Sequence, residues 1–238
     1  MFNFEGIVID VLKANGIKAN SIKKKGRLNG NDEREFQCDC AFALNNDLVL
    51  VECKAFTQPF SSRSFYEYIN KKEEAIEQFK SIAEFYTNNI DYVREAIDLD
   101  DSWNPRNVVK IILTTVYSGM NESIGEYNFM DFSTFKSLVD RNPPSINILD
   151  DKKIRKFTLK NYPMYEGKLT ANKLMNCIKM PPSVDLEYKR SEKTYIDMTV
   201  GNVILRSIRW KHKFDSEIPL GEMPEGHLER MGRIYGLE

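Results

Sequence analysis

Histidine is nearly missing from this chain: His212 and His227 are the only two in 238 residues. Neither has the company that a histidine–metal nuclease site needs, and nucleophilic serine or cysteine catalysis also lacks a partner, since Cys53 is expected to face the core. Cysteine is also sparse. Cys38, Cys40, Cys53 and Cys177 form no Cys-x-x-Cys pair, and buried free thiols of this kind suit a reducing compartment. A charge excess is lacking too, with 34 Lys and Arg against 35 Asp and Glu. Any contact with a polyanion must therefore come from local patches. No apolar run reaches membrane-spanning length, and Met1–Glu5 has no basic leader segment, so a cytoplasmic protein away from membranes is expected. No internal repeat is visible. What remains is a globular composition, 42% hydrophobic and 29% charged, long enough for one large domain or a domain with an extension.

The most informative stretch runs from Glu35 to Lys54. Two apolar, strand-favouring runs, 35–44 and 47–54, flank Asn45-Asn46, a pair that tolerates turn geometry. This reads as a β-hairpin. Strict alternation puts Phe36, Cys38, Cys40, Phe42 and Leu44 on one face and Gln37, Asp39, Ala41 and Ala43 on the other. In the second run Glu52 and Lys54 share a face and Cys53 points away. That run is otherwise apolar on both sides, as in a central, doubly covered strand. A carboxylate and a lysine at the end of such a strand need a partner or a metal. On the same alternation Cys38, Cys40 and Cys53 lie opposite Asp39, Glu52 and Lys54, buried, reduced and metal-free rather than gathered around zinc.

Asp39, thirteen residues before Glu52, with Lys54 two beyond it, forms a D…(D/E)-x-K pattern. In this the chain resembles the PD-(D/E)XK nuclease superfamily, with its restriction-endonuclease-like fold, and most closely the Mrr-like and archaeal Holliday-junction-resolvase-like branches. The resemblance covers roughly residues 3–118 and departs at Cys38, where the family name implies proline. It implies a helix ahead of the strands bearing a glutamate that serves the metal site, which is Glu5 here. It also implies a glutamine in the helix after the lysine strand, Gln78, that supports the site or orients a phosphate.

Phe4, Ile7, Val8, Val11 and Leu12 give residues 3–14 a helical stripe, stopped by Asn15-Gly16. Glu5 lies near that stripe, either as an acid complementing the helix dipole or as the further ligand of the resemblance. Residues 18–30 hold Lys18, Lys23, Lys24, Lys25 and Arg27 with no acid until after Asn31. Because this run leads into the strand carrying Asp39, Lys23, Lys24, Lys25 and Arg27 are candidate phosphate contacts. Gln37 shares the face of Asp39 as a polar rim residue. Residues 55–66 read as a loop in which Arg63 is a candidate phosphate contact. There Phe60 and Tyr66 either stack on substrate or cover the core. Residues 67–98 read as one helix, or two joined near Asn88-Asn89, with an acid-rich outer face that would repel DNA. A buried strand follows at 108–117 and a helix around 131–140, capped at Asp131 or Ser133. Strand, long helix and strand imply a crossover, hence an α/β fold with a mixed central sheet flanked by helices.

Asn142-Pro143-Pro144 marks a boundary between a nuclease-like domain, 1–142, and an α+β extension, 143–238, of no recognised family. The extension shows strand patterns at 151–160, 184–190 and 194–210, with a turn at Gly201-Asn202 and a helix at 169–180. A tail at 215–238 rich in proline and glycine looks loosely ordered. Lys189, Arg190, Lys193, Arg206, Arg209, Lys211 and Lys213 outnumber the acids between them, which suits a DNA-reading, oligomerising or docking element.

Asp39 and Glu52 offer hard oxygens suited to Mg²⁺ or Mn²⁺, with the Cys53 backbone carbonyl as a further ligand. Lys54 would orient water and stabilise charge on a phosphate. The expectation is a metal-dependent endonuclease acting on DNA in restriction, repair or antiviral defence, working as a homodimer or within a larger assembly. Two alternatives stay open: a catalytically silent domain of this fold that binds nucleic acid or protein, and a nuclease for RNA or branched DNA.

Overall fold

The computed structural model describes residues 3–116, 123–150, 153–158, 162–182, 184–185, 191–200 and 203–212. The chain divides into two compact units, Met1–Asn142 with Met164–Pro181, and Pro143–Pro163 with Pro182–Glu238. Residues 164–181, read from sequence as part of an extension, thus belong with the first unit.

The first unit opens with α1 (Phe4–Ala14), β1 (Ala19–Gly26), β2 (Arg34–Leu44) and β3 (Asp47–Lys54). Next come α2 (Ser62–Asn88), α3 (Ile90–Ala96) and β4 (Asn107–Thr114), then β5 (Ser123–Ile124), β6 (Tyr127–Asp131) and α4 (Phe132–Val139). The six strands form one mixed sheet in the order β1-β2-β3-β4-β6-β5. β1, β2 and β3 are antiparallel neighbours, β3, β4 and β6 run parallel, and β5 returns antiparallel at the far edge. Asn45 takes φ 57° to make the tight turn between β2 and β3, with Leu44 opposite Asp47. The parallel pairing of β3 with β4 requires the long α2–α3 connection between them.

Alternation fails at one point, and the site depends on it. Ile22 pairs with Cys38 but Asn20 pairs with Ala41, so Ser21 on β1 faces both Asp39 and Cys40 on β2. This is a β-bulge, which shifts every later side chain to the opposite face. Phe36 and Cys38 enter the core cluster under α2, with Ile22, Leu48, Leu50, Phe79 and Phe85. Beyond the bulge Ala41 and Ala43 take that side, while Phe42 packs edge-on against Phe135 of α4. The expected single face of Phe36, Cys38, Cys40, Phe42 and Leu44 is therefore wrong. From Cys40 to Leu44 both faces of β2 are apolar, so nothing in the pattern marks the slip. The three cysteines accordingly do not share a face.

The core on one side joins α2 to the sheet through Phe79, Ala83 and Tyr86, and Phe36 stacks on Phe85 with ring centroids 4.0 Å apart. On the other side α1 buries Phe4, Val8 and Leu12, and Phe4 meets Phe132 of α4 edge to face. The α2 helix begins at Ser62, five residues before the sequence pattern placed it, because Ser61 caps it with Ser64 as the reciprocal partner. The expected break falls at Asn89, which ends α2 and precedes α3. Asp131 is the N-cap of α4, accepting from the Thr134 N–H. Strands β1, β5 and β6 were not foreseen. α5 (Ala171–Lys179) completes this unit and buries Leu174, Cys177 and Ile178.

The second unit contains two antiparallel hairpins. One is β7 (Ser145–Asp150) with β8 (Lys153–Thr158), and the other is β9 (Ser191–Val200) with β10 (Val203–His212). Val184 and Asp185 are helical rather than extended. Tyr117–Gly119, Lys189, Arg190, the Gly201-Asn202 turn, Lys213, the tail and His227 lie outside the described residues. Among the described residues no helix is long and apolar enough to cross a membrane.

The Tyr86 hydroxyl ties the two strands together beside the bulge, 3.0 Å from the Ile22 carbonyl and 2.8 Å from that of Phe36. Tyr86→Phe strips the donor from a buried position and should lower unfolding free energy by about 1–3 kcal/mol. Urea denaturation checks this, and an unchanged midpoint would contradict it.

Candidate active site

The bulge delivers Asp39 to the end of β3. Pairing between β2 and β3 stops at Cys40 opposite Val51, which leaves the last residues of β3 without a neighbour on that side. The Asp39 carboxylate fills the gap, its Oδ2 accepting from the Cys53 N–H at 2.8 Å. A strand residue directs its N–H and C=O to the same side, so the Cys53 carbonyl also faces the β2 side. Gln37, foreseen at the rim, reaches the site directly, with Nε2 3.5 Å from Asp39 Oδ1.

Glu52 and Lys54 meet on the other side of the pocket. Lys54 Nζ donates to Glu52 Oε1 at 2.8 Å and to Gln78 Oε1 of α2 at 2.9 Å. Gln78 is thus the residue that fixes the ammonium from the helix. Glu52 Oε2 is buried and has no hydrogen-bond partner. Asp39 and Glu52 are only 7% and 6% exposed, and Lys54 is the cation that acts on both among the described residues.

The ionisation behaviour follows. Burial, then the charge of Asp39, pushes Glu52 up to about 7 against the pull of Lys54. Asp39 is also raised by burial, although the Cys53 N–H, Lys54 and Gln37 oppose the shift. Glu5 on α1 is raised first by burial and then by Asp39, and is drawn back by Lys54. Its charge is therefore felt in the same pocket, while the capping of α1 falls to Asn3, which accepts from the Gly6 N–H at 2.9 Å. Burial raises the thiols of Cys38, Cys40 and Cys53, keeping them protonated.

Asp39, Glu52 and the Cys53 carbonyl are the groups that could hold a divalent cation, with Glu5 beside them. The buried, unpartnered Glu52 Oε2 fits such a ligand, because a cation would supply the missing counter-charge. Among the described residues no group of three or more His, Cys, Asp and Glu side chains is arranged to hold a metal. The set here is a carboxylate pair plus a main-chain oxygen.

The basic candidates are dispersed by strand geometry. The run 18–30 contains the edge strand β1, so Lys23 and Lys25 project to one side and Lys24 to the other. Lys23 lies opposite Gln37 on β2, next to the site, and pairs with Glu35 at 2.9 Å. Lys25 and Arg27 are exposed. Lys24 is drawn to α3, where it pairs with Glu95 at 2.8 Å and covers the Tyr92 ring. Arg63 sits in the first turn of α2, exposed and paired with Glu67 at 3.0 Å.

A carboxyl whose folded pKa is raised contributes stability below its ordinary value near 4.5, and that contribution is lost as pH rises through about 7. In chelator, lowering the pH from 8 towards 5 should therefore stabilise the protein by roughly 3 kcal/mol from Glu52. Glu52→Gln should remove this slope and melt above the wild type at pH 8. Melting curves that coincide for the two proteins across the range would contradict the assignment. No known family model and no curated protein sequence matches the chain.

Proposed function

We propose that this protein is a metal-dependent nuclease that hydrolyses phosphodiester bonds in DNA, with Asp39, Glu52 and Lys54 as its catalytic set. The observation that carries the reading is Glu52: one oxygen is held by Lys54 and the other is buried without a donor beside a second carboxylate. A structural ion pair would need one acid and one lysine, and burying additional negative charge would only weaken it. Sites that handle phosphate and water under a divalent cation need this surplus.

In this reading Asp39, Glu52 and the Cys53 carbonyl hold Mg²⁺ or Mn²⁺. Such an ion, when bound, acidifies water and offsets charge on the scissile phosphate. The protein's own groups do the rest. Lys54, held by Gln78, donates to the attacking water and to the phosphate oxygen on which charge builds. Gln37 and the Cys53 N–H fix Asp39, so its carboxylate keeps one orientation. Glu5 adds a further oxygen at the margin. Lys23 and Lys25 project on the side of β1 that faces Gln37 and would meet the phosphate backbone, whereas Lys24 is engaged by α3. The assignment to the PD-(D/E)XK superfamily and to restriction, repair or antiviral defence rests on the resemblance of Asp39, Glu52 and Lys54 to its motif.

Plasmid, linear duplex, single-stranded, junction and RNA substrates incubated with Mg²⁺ or Mn²⁺ provide the test. Wild type should cut DNA and lose activity in chelator. Asp39→Asn, Glu52→Gln and Lys54→Ala should each lower the rate by about 100-fold or more while remaining folded. Unchanged cleavage in these variants, or none by wild type on any substrate with either metal, would refute the proposal. Binding should also weaken with salt, and Lys23→Ala with Lys25→Ala should reduce the log–log slope by about 1.8 for two phosphate contacts. Lys24→Ala should leave the slope unchanged, and an equal loss from Lys24→Ala would refute the division of the lysines by β1.

A further inference from the structure

The segment leaving the active-site strand exposes aromatic rings that no described residue covers. Phe60, Phe65 and Tyr66 are 89%, 54% and 66% exposed, and Ile69 one turn further is 40% exposed. Sequence alone left open whether such rings close the core. The core in this region is closed instead by Tyr68, which is buried and packs edge-on against Phe56 at 5.5 Å. Phe56 lies two residues past Lys54, and its N–H donates to the Lys54 carbonyl at 3.2 Å. The exposed rings thus flank the helical turn that packs on the exit from the catalytic strand.

Their presentation is fixed by hydrogen bonds. The Phe60 and Ser61 N–H groups both donate to Ser64 Oγ, at 3.1 and 2.9 Å, while the Ser64 N–H donates to Ser61 Oγ at 3.1 Å. The loop is therefore bound to the first turn of α2. The polar company is cationic and hydroxylic: residues 55–66 contain Arg63 and four hydroxyl residues besides Tyr66, Thr57, Ser61, Ser62 and Ser64, and no acid. The N-terminus of α2 adds the positive end of its dipole. Among the described residues Arg63 is held by the exposed Glu67 pair, a weak contact that a phosphate can replace.

Rings beside a cation and a helix N-terminus suit a partner that alternates flat π faces with phosphates. Within a duplex the bases are already stacked on one another and offer no face. Unpaired bases do, and aromatic side chains stack on them with little regard to sequence. We propose that Phe60, Phe65 and Tyr66 form a stacking platform for unpaired nucleobases, so that the nuclease site acts on DNA with a single-stranded segment. This rests on the nuclease reading above.

Fluorescence anisotropy with a labelled 20-nucleotide single strand of mixed sequence, and with the matching duplex, tests it on the full chain in EDTA, where no cutting occurs. Wild type should bind the single strand more tightly than the duplex. Phe60→Ala, Phe65→Ala and Tyr66→Ala should each weaken single-strand binding by about 5- to 100-fold and leave duplex binding within about twofold. Phe65→Trp should retain it. These positions are exposed, so melting temperatures should not move. Unchanged single-strand affinity in the triple alanine variant would overturn the platform, and so would equal losses on both nucleic acids. If the triple variant binds as wild type while wild type still cuts DNA with Mg²⁺, the nuclease reading stands and the rings serve a protein partner. If wild type neither binds nor cuts any nucleic acid, the nuclease reading itself fails.

Discussion

Glu52 Oε2 lies buried at the end of β3 with no donor, and the carboxylates of Asp39 and Glu5 act on the same pocket. Lys54 opposes them and is shared between Glu52 and Gln78. Negative charge in excess of its counter-charge is unfavourable away from water, so the surrounding fold must hold these groups in place. It does so through large, well-packed surfaces on both faces of the sheet: Phe36 stacked on Phe85 beneath α2, and Phe42 against Phe135 beneath α4. Those packed layers hold the sheet that carries the pocket and offset the cost of its buried charge.

The bulge at Asp39 and Cys40 is what makes the pocket possible. A regular β2 would keep pairing with β3 past Val51 and would turn Asp39 according to strict alternation. The extra residue ends the ladder, frees the Cys53 main chain on one side and lets Asp39 cap its N–H. This device was invisible in the sequence. Residues 40–44, the part of the strand beyond the bulge, are apolar on both faces, so shifting them by one changes no hydrophobic pattern. The motif residues were legible for the opposite reason: Glu52 and Lys54 interrupt a strand that is otherwise buried on both sides, and a charge in such a place demands an explanation.

Other parts of the chain divide along similar lines. The Asn45-Asn46 turn, α1, the α2–α3 break and the Asp131 cap each carry a local chemical signal and appear where that signal lies. β6 is a five-residue buried strand, Tyr127–Asp131, with no alternation to reveal it. The start of α2 was hidden because its capping partner is Ser64 rather than a glutamate or glutamine. The lysine-rich run predicts a patch, but its lysines lie on a sheet edge, where lysine also discourages pairing with other chains. Only that strand geometry separates Lys23 and Lys25 from Lys24, whose partners on α3 are more than sixty residues away in sequence.

Whether the surplus of negative charge is a cation site is decided by titrating Mn²⁺ into the protein and following the free ion by electron paramagnetic resonance at pH 7.5. Binding is then read without reference to any nucleic acid or to cleavage. The expected result is saturable loss of the free Mn²⁺ signal with wild type, competed by Mg²⁺ and strongly reduced in Asp39→Asn and Glu52→Gln. A free signal that is the same for wild type and both variants would contradict a metal site built on Asp39 and Glu52.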